Sequence, residues 1–455
     1  MDAPSIVDTR FRTALRRLDA AGRLLRIHSR VDPVLEVAGI MKRHDGDLAL
    51  FFERVGEYAI PVCANLVASP ANVQAVFQMD HWAVRDCMRR ALEHPLKPVV
   101  VPKGARTLPV LLHAAKDGGK FITGGIVLAR DPESGVHNAS FHRLQLLGPD
   151  RTAIKLDFGR HLGVLYEKAC RQGRPLEIAV LLGVDVSLLY AAASSGMNVP
   201  LDADELEVAS GLRGEPLELA PCQTVDLSVP AETEIVIEGA ILPDQMVEEG
   251  PFAEFFQIYS GVGPSPVVEV RAITHRRDPV YYDALAGVHG AMLRKYIDEE
   301  SALKAIRRAV PIVQDVNLTP AGQCRFHMVL AVRKRSPADE GLQRNAIFAA
   351  FAAFKDLDHV IVVDDDIDIH NPMDVEYALS VRFDAGRDLI VVPDAKTHEY
   401  VRVSRQGQRA KLGVDATVPF EEQEAYRRVP FLEVDMGRYE TSRGPGDPRH
   451  PALKG

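Results

Sequence analysis

The spacing of hydrophobic and polar positions divides the chain into three stretches, and the first of these alternates between helical and strand-like patterns. Helices are predicted at residues 7–21, 33–42 and 71–94, and strands at residues 48–53 and 60–66. The last helix should end before Pro95 and Pro98, because proline interrupts the hydrogen bonding of a helix interior. We therefore expect an N-terminal α/β domain over residues 1–107.

Short strand-like runs separated by turn signals fill the middle of the chain. The clearest are residues 125–130, 144–147, 153–158, 233–238 and 267–274. Runs of this length and spacing favour an antiparallel sandwich or barrel, interrupted here by helices near residues 162–172, 187–194 and 204–210. A central β domain is expected over residues 108–304.

Helix and strand alternate again in the last third of the chain. An apolar-faced helix is predicted at residues 341–355, followed by a strand at 359–364, a helix at 374–382 and a strand at 389–393. The order strand, helix, strand implies a parallel crossover and a C-terminal α/β domain, which we place at residues 305–455. Its end, from Glu421, is rich in arginine, glycine and proline and is typical of a loosely held or partner-docking arm.

Composition and charge narrow the function classes. The 455 residues are 46% hydrophobic and 26% charged, which is typical of a globular protein of two or three domains. The net charge of −9 argues against a nucleic-acid binder. The five cysteines lack zinc-site spacing, so a reduced, cytoplasmic setting is expected. We expect no secretory signal, because the N-terminus carries interspersed charges and lacks an apolar core before a small-residue cleavage site. We expect no membrane segment, because polar residues interrupt the longest apolar run, residues 178–193.

Two carboxylates flank a turn in the segment Glu249-Gly-Pro-Phe-Ala-Glu254. On a straight strand these two side chains would point to opposite faces, but a bend at Gly250-Pro251 can bring both to one cavity. Paired carboxylates suit acid–base chemistry, although a solvated loop has the same sequence signature. Arg143 enters an apolar run and needs an anionic partner if it is buried. Glu249 or Glu254 could be that partner.

A second group of polar residues suits a metal ion that also contacts phosphate. Asn138, His161 and Glu205 together would give a hard or borderline divalent cation a mixed oxygen and nitrogen shell. Taken singly, they are more often a hairpin residue, a structural histidine and an acid at a helix start. Lys411, in a polar loop with a glycine turn, is a candidate phosphate contact. The sequence contains no dinucleotide fingerprint and no P-loop, so those nucleotide-binding functions lack support.

Taken in order, these motifs resemble the UbiD-type decarboxylases. The similar segments are residues 123–135, Asn138 with Arg143, Glu205 with 211–214, 230–239, 249–254 and 411–417. The resemblance extends from about residue 120 to 420 and implies an α/β (α+β) fold class. Its expected architecture is a central flavin-binding split β-barrel, flanked by an N-terminal α/β domain and a C-terminal α/β domain used in dimer formation. A homodimer or higher homo-oligomer is therefore expected.

The resemblance also implies a cofactor and the residues that hold it. Family members use prenylated FMN, made by a flavin prenyltransferase, and bind its phosphate through Mn²⁺ or Mg²⁺, often with K⁺ nearby. Transferred to this sequence, the metal ligands are Asn138, His161 and Glu205. The cofactor-binding residues are Ser140, Phe141, Arg143, Arg160, His161, Met197 and Lys411, with Lys411 near the phosphate.

The implied reaction is the reversible, non-oxidative decarboxylation of a small aromatic, heteroaromatic or α,β-unsaturated carboxylic acid. Loss of carbon dioxide leaves charge at an sp² carbon, which the cofactor accepts while the protein orients the substrate. The family's catalytic network falls on Arg143, Glu249 and Glu254. We assign Glu254 as the proton donor, because Glu249 paired to Arg143 leaves the other carboxyl group free to be protonated.

Two positions bear on the choice of substrate. Arg160 stands where several relatives have an uncharged polar residue, and it could bind a second carboxylate or a hydroxyl, or support the phosphate. His289 is a further pocket candidate. The sequence leaves two other functions open: a non-catalytic flavin-binding subunit of a multi-subunit decarboxylase, and a metal-dependent hydrolase that uses the same carboxylates.

Overall fold

The computed structural model describes residues 7–96, 99–100, 108–157, 159–194, 199–398, 401 and 403–429. Met197, predicted to line the cofactor, lies outside the described residues, as does most of the predicted C-terminal arm. All structural statements below concern the described ranges.

The N-terminal part alternates helices and strands, as predicted. Its elements are α1 (Phe11–Ala20), β1 (Leu24–Val31), α2 (Glu36–Arg43), β2 (Ala49–Val55), β3 (Val62–Ala64), α3 (Pro70–Phe77) and α4 (His81–Glu93). The single helix expected over residues 71–94 is two helices. Gln78 ends α3 in the left-handed region with φ of 55°, and the Asp80 side chain then accepts a hydrogen bond from the Ala83 amide to start α4.

The central part is built on one large antiparallel sheet. Its elements are β4 (Val99–Val100), β5 (Phe121–Ile122), β6 (Ile126–Arg130), β7 (His137–Phe141), β8 (Leu144–Leu146), β9 (Arg151–Ile154), α5 (His161–Arg171), β10 (Leu176–Leu182), α6 (Val186–Ala193), α7 (Glu205–Arg213), β11 (Glu218–Pro221), β12 (Ser228–Pro230), β13 (Ile235–Glu249), β14 (Gly263–His275) and β15 (Tyr281–Tyr282). Eight strands pair in the order β5-β8-β9-β14-β13-β10-β6-β7, every neighbouring pair antiparallel.

The sheet is strongly curled into a half-barrel, and irregular pairing between β13 and β14 accompanies the curl. The register of β13 shifts after Glu238 and again after Ile241, and such bulges bend a strand and increase its twist. Gly239 lies at the first shift, where a β-carbon would be 2.2 Å from the Glu269 carbonyl oxygen. Of the sandwich or barrel that the spacing favoured, the structure has a half-barrel, in line with the split β-barrel that the resemblance implied. The three predicted interrupting helices are present as α5, α6 and α7.

Both faces of the central sheet are buried around β10. Ile178 and Val180 point into a core shared with α5, whereas Ala179 and Leu181 point into a second core that contains α6. Because successive side chains of a strand alternate between faces, a strand covered on both sides is apolar at every position. This explains the long apolar run in the sequence, which continues from β10 into the buried helix α6.

The C-terminal part contains a five-stranded mixed sheet. Its elements are α8 (Val288–Ala309), β16 (Val313–Leu318), β17 (His327–Val332), α9 (Leu342–Ala353), β18 (His359–Asp364), α10 (Pro372–Val381), β19 (Leu389–Lys396) and β20 (Gln408–Ala416), in the sheet order β16-β17-β18-β20-β19. A parallel crossover through α9 joins β17 to β18. Two smaller sheets complete the fold: β1-β2-β3-β15 and β12-β11-β4.

The parallel crossover predicted between the strands at 359–364 and 389–393 is wrong. β20 lies between these strands, parallel to β18 and antiparallel to β19. β19 therefore runs opposite to β18 and takes the sheet edge. The sequence prediction failed because it did not include β20 as a strand, so β19 was given the place beside β18 that β20 occupies.

The sequence pattern also does not reveal α8, and the predicted domain boundary between residues 304 and 305 lies inside this 22-residue helix. The buried positions of α8 include Lys295, Asp298 and Glu299, which mask an apolar periodicity. The Lys295 ammonium is satisfied by Glu299, by the Asn317 side chain and by a backbone carbonyl. A paired polar group of this kind occupies a core position that sequence periodicity assigns to solvent.

Candidate active site

Arg143 lies between β7 and β8 and binds both glutamates of the 249–254 segment. Its Nε and Nη2 atoms donate to the two carboxylate oxygens of Glu249, at 2.8 and 3.0 Å. Its Nη1 atom donates to Glu254 Oε1. Glu249 thus receives a two-point contact, the stronger geometry for an arginine and a carboxylate, whereas Glu254 receives one bond.

The bend between the glutamates follows from the local sequence. Glu249 ends β13, and Gly250 adopts φ of +97° before a cis peptide bond to Pro251. A β-carbon at Gly250 would lie 2.8 Å from the Gly261 carbonyl oxygen, so the turn requires glycine there. The amide of Glu254 then donates to the Ile258 carbonyl at 3.0 Å, which closes the loop. We call residues 249–254 the carboxylate turn.

The arginine is held in an apolar and anionic environment. Its guanidinium stacks on Phe252, with 4.7 Å from the Cζ atom to the ring centroid. Burial would lower the pKa of Arg143, but the hydrogen bond and charge of Glu249 and the charge of Glu254 outweigh it and raise this pKa. The group therefore stays cationic. The side chain of Glu249 is 2% exposed and that of Glu254 is 16% exposed, so Glu254 is the carboxylate more accessible to a ligand.

Asn138, His161 and Glu205 meet beside β7. The Asn138 amide donates to Glu205 Oε1 at 3.1 Å, and His161 Nδ1 lies 3.7 Å from the same oxygen. Burial raises the pKa of Glu205, against the opposing hydrogen bonds from His161 and the Ala139 amide. We call these three residues the anchor group. Each comes from a different element: β7, the first residue of α5 and the first residue of α7.

The anchor group fits a divalent cation. A buried carboxylate, an amide oxygen and an imidazole nitrogen are the donor types that hard or borderline divalent metals accept. Within the described residues, no cluster of three or more His, Cys, Asp or Glu side chains could hold a metal by itself, so this set depends on Asn138. The Ser140 hydroxyl donates to Asn138 Oδ1 at 3.1 Å, which orients the amide.

Three sequence profiles of one family match the chain in order. They describe the N-terminal domain of 3-octaprenyl-4-hydroxybenzoate carboxy-lyase at residues 15–91, its Rift-related domain at 100–289 and its C-terminal domain at 291–416. The chain belongs to the UbiD family. The resemblance seen in the sequence is therefore confirmed.

Relatives of this UbiD protein include characterised decarboxylases and solved structures. Anhydromevalonate phosphate decarboxylase of Methanothermobacter thermautotrophicus is 35% identical over 90% of this chain and 97% of its own length. HmfF, a UbiD-class enzyme from Pelotomaculum thermopropionicum, is 41% identical in a complex with FMN, with a TM-score of 0.90 over 94% of this chain and 100% of that one. An evolved dimeric form of HmfF in complex with prFMN is 38% identical, with a TM-score of 0.85 over 95% and 100% of the two chains.

A further solved relative acts on an aromatic acid. The 3,4-dihydroxybenzoic acid decarboxylase AroY of Klebsiella pneumoniae is 28% identical, with a TM-score of 0.88 over 94% of this chain and 98% of that one. Because its relatives are decarboxylases, the UbiD protein is identified as an enzyme of the same class, a decarboxylase. The metal-dependent hydrolase considered from the sequence is therefore wrong.

The remaining predicted residues of the UbiD protein lie at different distances from these two groups. Ser140 and Phe141 are on β7 between the anchor group and Arg143. Arg160 is the N-cap residue of α5, directly before His161, and its Nε atom lies 4.0 Å from Asp157. β7 and the start of α5 therefore bring most of the predicted cofactor-binding positions together.

Lys411 lies instead within the C-terminal sheet, on β20. Its ammonium donates to the carbonyl oxygens of Lys355 and Leu357 at 2.7 and 2.6 Å and lies 5.4 Å from the ring centroid of Phe351. Burial lowers the pKa of Lys411. The described contacts of this ammonium are thus internal to the C-terminal part, and its role as a phosphate contact stays a prediction.

The site of the UbiD protein lies where the central sheet meets the C-terminal part. Phe255 and Phe256 follow the carboxylate turn directly, and Phe256 packs on Phe326 with ring centroids 5.4 Å apart. His398 contacts the same cluster, and Arg325 lies over Phe255 at 5.4 Å. The sequence analysis missed this contact, since nothing local in the sequence relates Phe256 to Phe326. It also missed the stacking of the Arg143 guanidinium on the Phe252 ring.

None of the helices among the described residues combines the length and the apolar composition that crossing a bilayer would require.

His289, the predicted pocket residue, is fully buried and bonds the Tyr282 hydroxyl through Nε2. Burial lowers its pKa from 6.5 to about 4. Because the folded pKa lies below the unfolded one, stability is lost as the pH falls from 6.5 towards 4. We expect this residue to contribute about 2 kcal/mol to the stability lost between pH 7 and pH 5.

The measurement is the unfolding free energy at both pH values, for the wild type and for His289→Gln. The variant should lose about 2 kcal/mol less than the wild type on acidification. His28→Gln, at an exposed histidine, is the control and should lose as much as the wild type. An identical pH dependence in His289→Gln and the wild type would contradict the buried neutral imidazole.

Proposed function

We propose that the protein is a reversible, non-oxidative decarboxylase of an aromatic, heteroaromatic or α,β-unsaturated carboxylic acid, with prenylated FMN as cofactor and Glu254 as proton donor. The observation that carries this proposal is the network in which one arginine, Arg143, binds two carboxylates at a mostly buried position. A UbiD-family decarboxylase needs a positioned acid, and this network supplies one.

The network distinguishes its two carboxylates by geometry. Glu249 has the two-point contact and is the more buried, whereas Glu254 has one bond and greater exposure. Glu254 is therefore the carboxyl group placed to carry a proton to the substrate carbon. The bound cofactor supplies the electron sink for the charge left when carbon dioxide departs.

The anchor group would hold the cofactor phosphate through Mn²⁺ or Mg²⁺, with K⁺ as a possible companion ion. Ser140, Phe141 and Arg160 lie beside it and would line the cofactor, as would Met197 and, from the C-terminal part, Lys411. The FMN and prFMN complexes of HmfF support this cofactor. The buried, mixed donor set described above supports the metal.

The direct test is production of the protein together with a flavin prenyltransferase. We expect the purified chain to show a visible flavin spectrum, to release a cofactor with the mass of prenylated FMN, and to form carbon dioxide from at least one acid. The acid panel should contrast monocarboxylates with dicarboxylates and phenolic acids, which tests Arg160 as a substrate contact. Loaded protein that releases no carbon dioxide from any of these acids would favour the non-catalytic subunit instead.

Removing the anchor carboxylate should release both metal and flavin. For Glu205→Ala we expect metal affinity to fall by at least the roughly 10- to 100-fold seen when outer ligands of metal sites are lost. Elemental analysis and flavin absorbance of the purified variant measure this. Glu207→Ala, at the second acid in the first turn of α7, is the matched control and should retain both. Full metal and flavin content in Glu205→Ala would overturn this assignment.

We also propose that the protein works in the cytoplasm as a homodimer or a larger homo-oligomer, with the prenyltransferase as supplier of its cofactor. The prFMN complex of a dimeric HmfF form supports a dimer unit. Light scattering after size-exclusion chromatography tests the assembly, since a monomer at all accessible concentrations would contradict it.

A further inference from the structure

Two side chains from outside the carboxylate turn bind the peptide groups adjacent to its two glutamates. The amide of Gly250, which follows Glu249, donates to Gln145 Oε1 at 2.9 Å. The amide of Ala253, which precedes Glu254, donates to Asp117 Oδ1 at 2.9 Å. Each glutamate therefore has an external acceptor one peptide away.

Both acceptors are themselves fixed. Gln145 lies on β8, is 6% exposed, and donates through Nε2 to the Gly118 carbonyl at 2.8 Å. The second carboxylate oxygen of Asp117 accepts the Ala114 amide at 2.9 Å. A side chain with one end held by a rigid strand or turn can hold a second backbone group in place at little further entropic cost.

The backbone of residues 114–118 also touches the carboxylate turn directly. The Gly118 amide donates to the Pro251 carbonyl at 2.7 Å. A β-carbon at Gly118 would lie 2.1 Å from the Gly250 carbonyl oxygen, so only glycine permits this approach. Hydrogen bonds with Gln145, Gly118 and Asp117 thus hold the turn at Gly250, Pro251 and Ala253, in addition to its bonds with Ile258 and Ser260.

We propose that Asp117 and Gln145 are positioning residues that set the placement of Glu254 and Glu249 relative to Arg143. This inference rests on the proposed function, in which these two carboxylates take part in catalysis. Catalytic groups must be held to within a fraction of an ångström, and a misplacement of about 1 Å costs on the order of 10²-fold in rate. The hydrogen bonds described for both side chains go to backbone groups, so both act through the turn.

A purely local role for Asp117 makes a different prediction. Asp117 also closes a turn with Ala114, to which its own backbone amide donates at 3.0 Å. If that were its whole role, removing the side chain would loosen residues 114–117 and leave residues 249–254 unchanged. The exchange behaviour of the carboxylate turn separates the two cases.

The first experiment is hydrogen–deuterium exchange of the purified protein, followed in peptides that span residues 249–257. In Asp117→Ala and in Gln145→Met we expect exchange in this peptide to be roughly 2- to 10-fold faster, because each variant removes one hydrogen bond from its backbone. Asp339→Ala is the matched control, since Asp339 accepts two backbone amides in the C-terminal part. It should leave the peptide unchanged.

The second experiment is steady-state kinetics of cofactor-loaded protein on the acid with the highest turnover. We expect kcat to fall by about 10- to 100-fold in Asp117→Ala and Gln145→Met, with KM within about twofold of the wild-type value. Asp117→Asn keeps one acceptor oxygen where Asp117 has two, one for the Ala253 amide and one for the Ala114 amide, so it should recover part of the lost kcat. A general loss of packing would not be rescued by this isosteric change.

The outcomes are decisive in both directions. Unchanged exchange in residues 249–257, or an unchanged kcat in both variants, would overturn the inference. Should one variant fail to fold, the other tests the same turn independently. Exchange needs no substrate: faster exchange in a protein that turns over no acid would uphold the placement of the turn and reject the proposed function.

Discussion

Replacement of Glu254 by glutamine is expected to lower kcat by about 10²- to 10⁴-fold, the usual contribution of a positioned general acid. Glutamine has nearly the same shape and can still accept the hydrogen bond from Arg143, but it has no acidic proton to give. KM should change little, because the loss concerns the reaction step. Carbon dioxide release by loaded protein measures this, together with cofactor content to show that loading is unaffected.

Glu248→Gln provides the control for that result. Glu248 is exposed and precedes Glu249 on β13, so its side chain lies on the opposite face of the strand from the buried carboxylate. The Glu248→Gln variant should retain wild-type turnover. Full activity of Glu254→Gln would show that Glu254 is not the proton donor. Equal losses of activity in both variants would indicate a general effect of charge near the strand end.

Replacement of Arg143 by methionine is expected to reduce the unfolding free energy by about 3–5 kcal/mol, as well as to abolish turnover. The reason is that Glu249, whose side chain is 2% exposed, would keep a buried negative charge without its partner. Breaking a buried ion pair from one side costs far more than the intact pair contributes. Denaturant unfolding monitored by fluorescence and circular dichroism gives the change, with the slope compared between variants.

A second substitution shows where that cost comes from. In the Arg143→Met background, Glu249→Gln removes the unpaired charge, so the double variant should recover a substantial part of the lost stability. Arg130→Met is the control, because Arg130 on β6 pairs with the exposed Asp226, and surface pairs contribute roughly 0–1 kcal/mol. A double variant as unstable as Arg143→Met would show that the cost arises from lost packing on Phe252 instead.

The secondary structure could be predicted wherever hydrophobic periodicity is local and strong. The strand-like run of β18 and the helical spacing of α9 both have this property, and both elements are present close to the predicted residues. The failures have equally specific causes. α8 buries a lysine and two acids, which hides its apolar face. β20 lies between β18 and β19 and pairs antiparallel with β19, so β19 runs opposite to β18.

The site shows the same division. The sequence identified Arg143 and the two glutamates as candidate partners, because an arginine in an apolar run needs an anion and a Gly-Pro bend can present two. It could not identify Asp117 or Gln145. Gln145 is 105 residues from Gly250, and Asp117 is 136 residues from Ala253. A hydrogen bond to a distant backbone amide leaves no mark on local residue spacing.

The sequence by itself determined the candidate residues: the carboxylate turn, its arginine and the oxygen and nitrogen donors of the anchor group. Side-chain chemistry and backbone preference are local properties that a chain states residue by residue. Only the tertiary structure showed the contacts that distinguish the two glutamates, with two bonds from Arg143 to Glu249 and one to Glu254. It also showed that the Lys411 ammonium donates to carbonyls of the C-terminal part and that the buried His289 bonds the Tyr282 hydroxyl. Hydrogen-bond partners and burial depend on which distant segments come into contact, and the curled sheet determines those contacts.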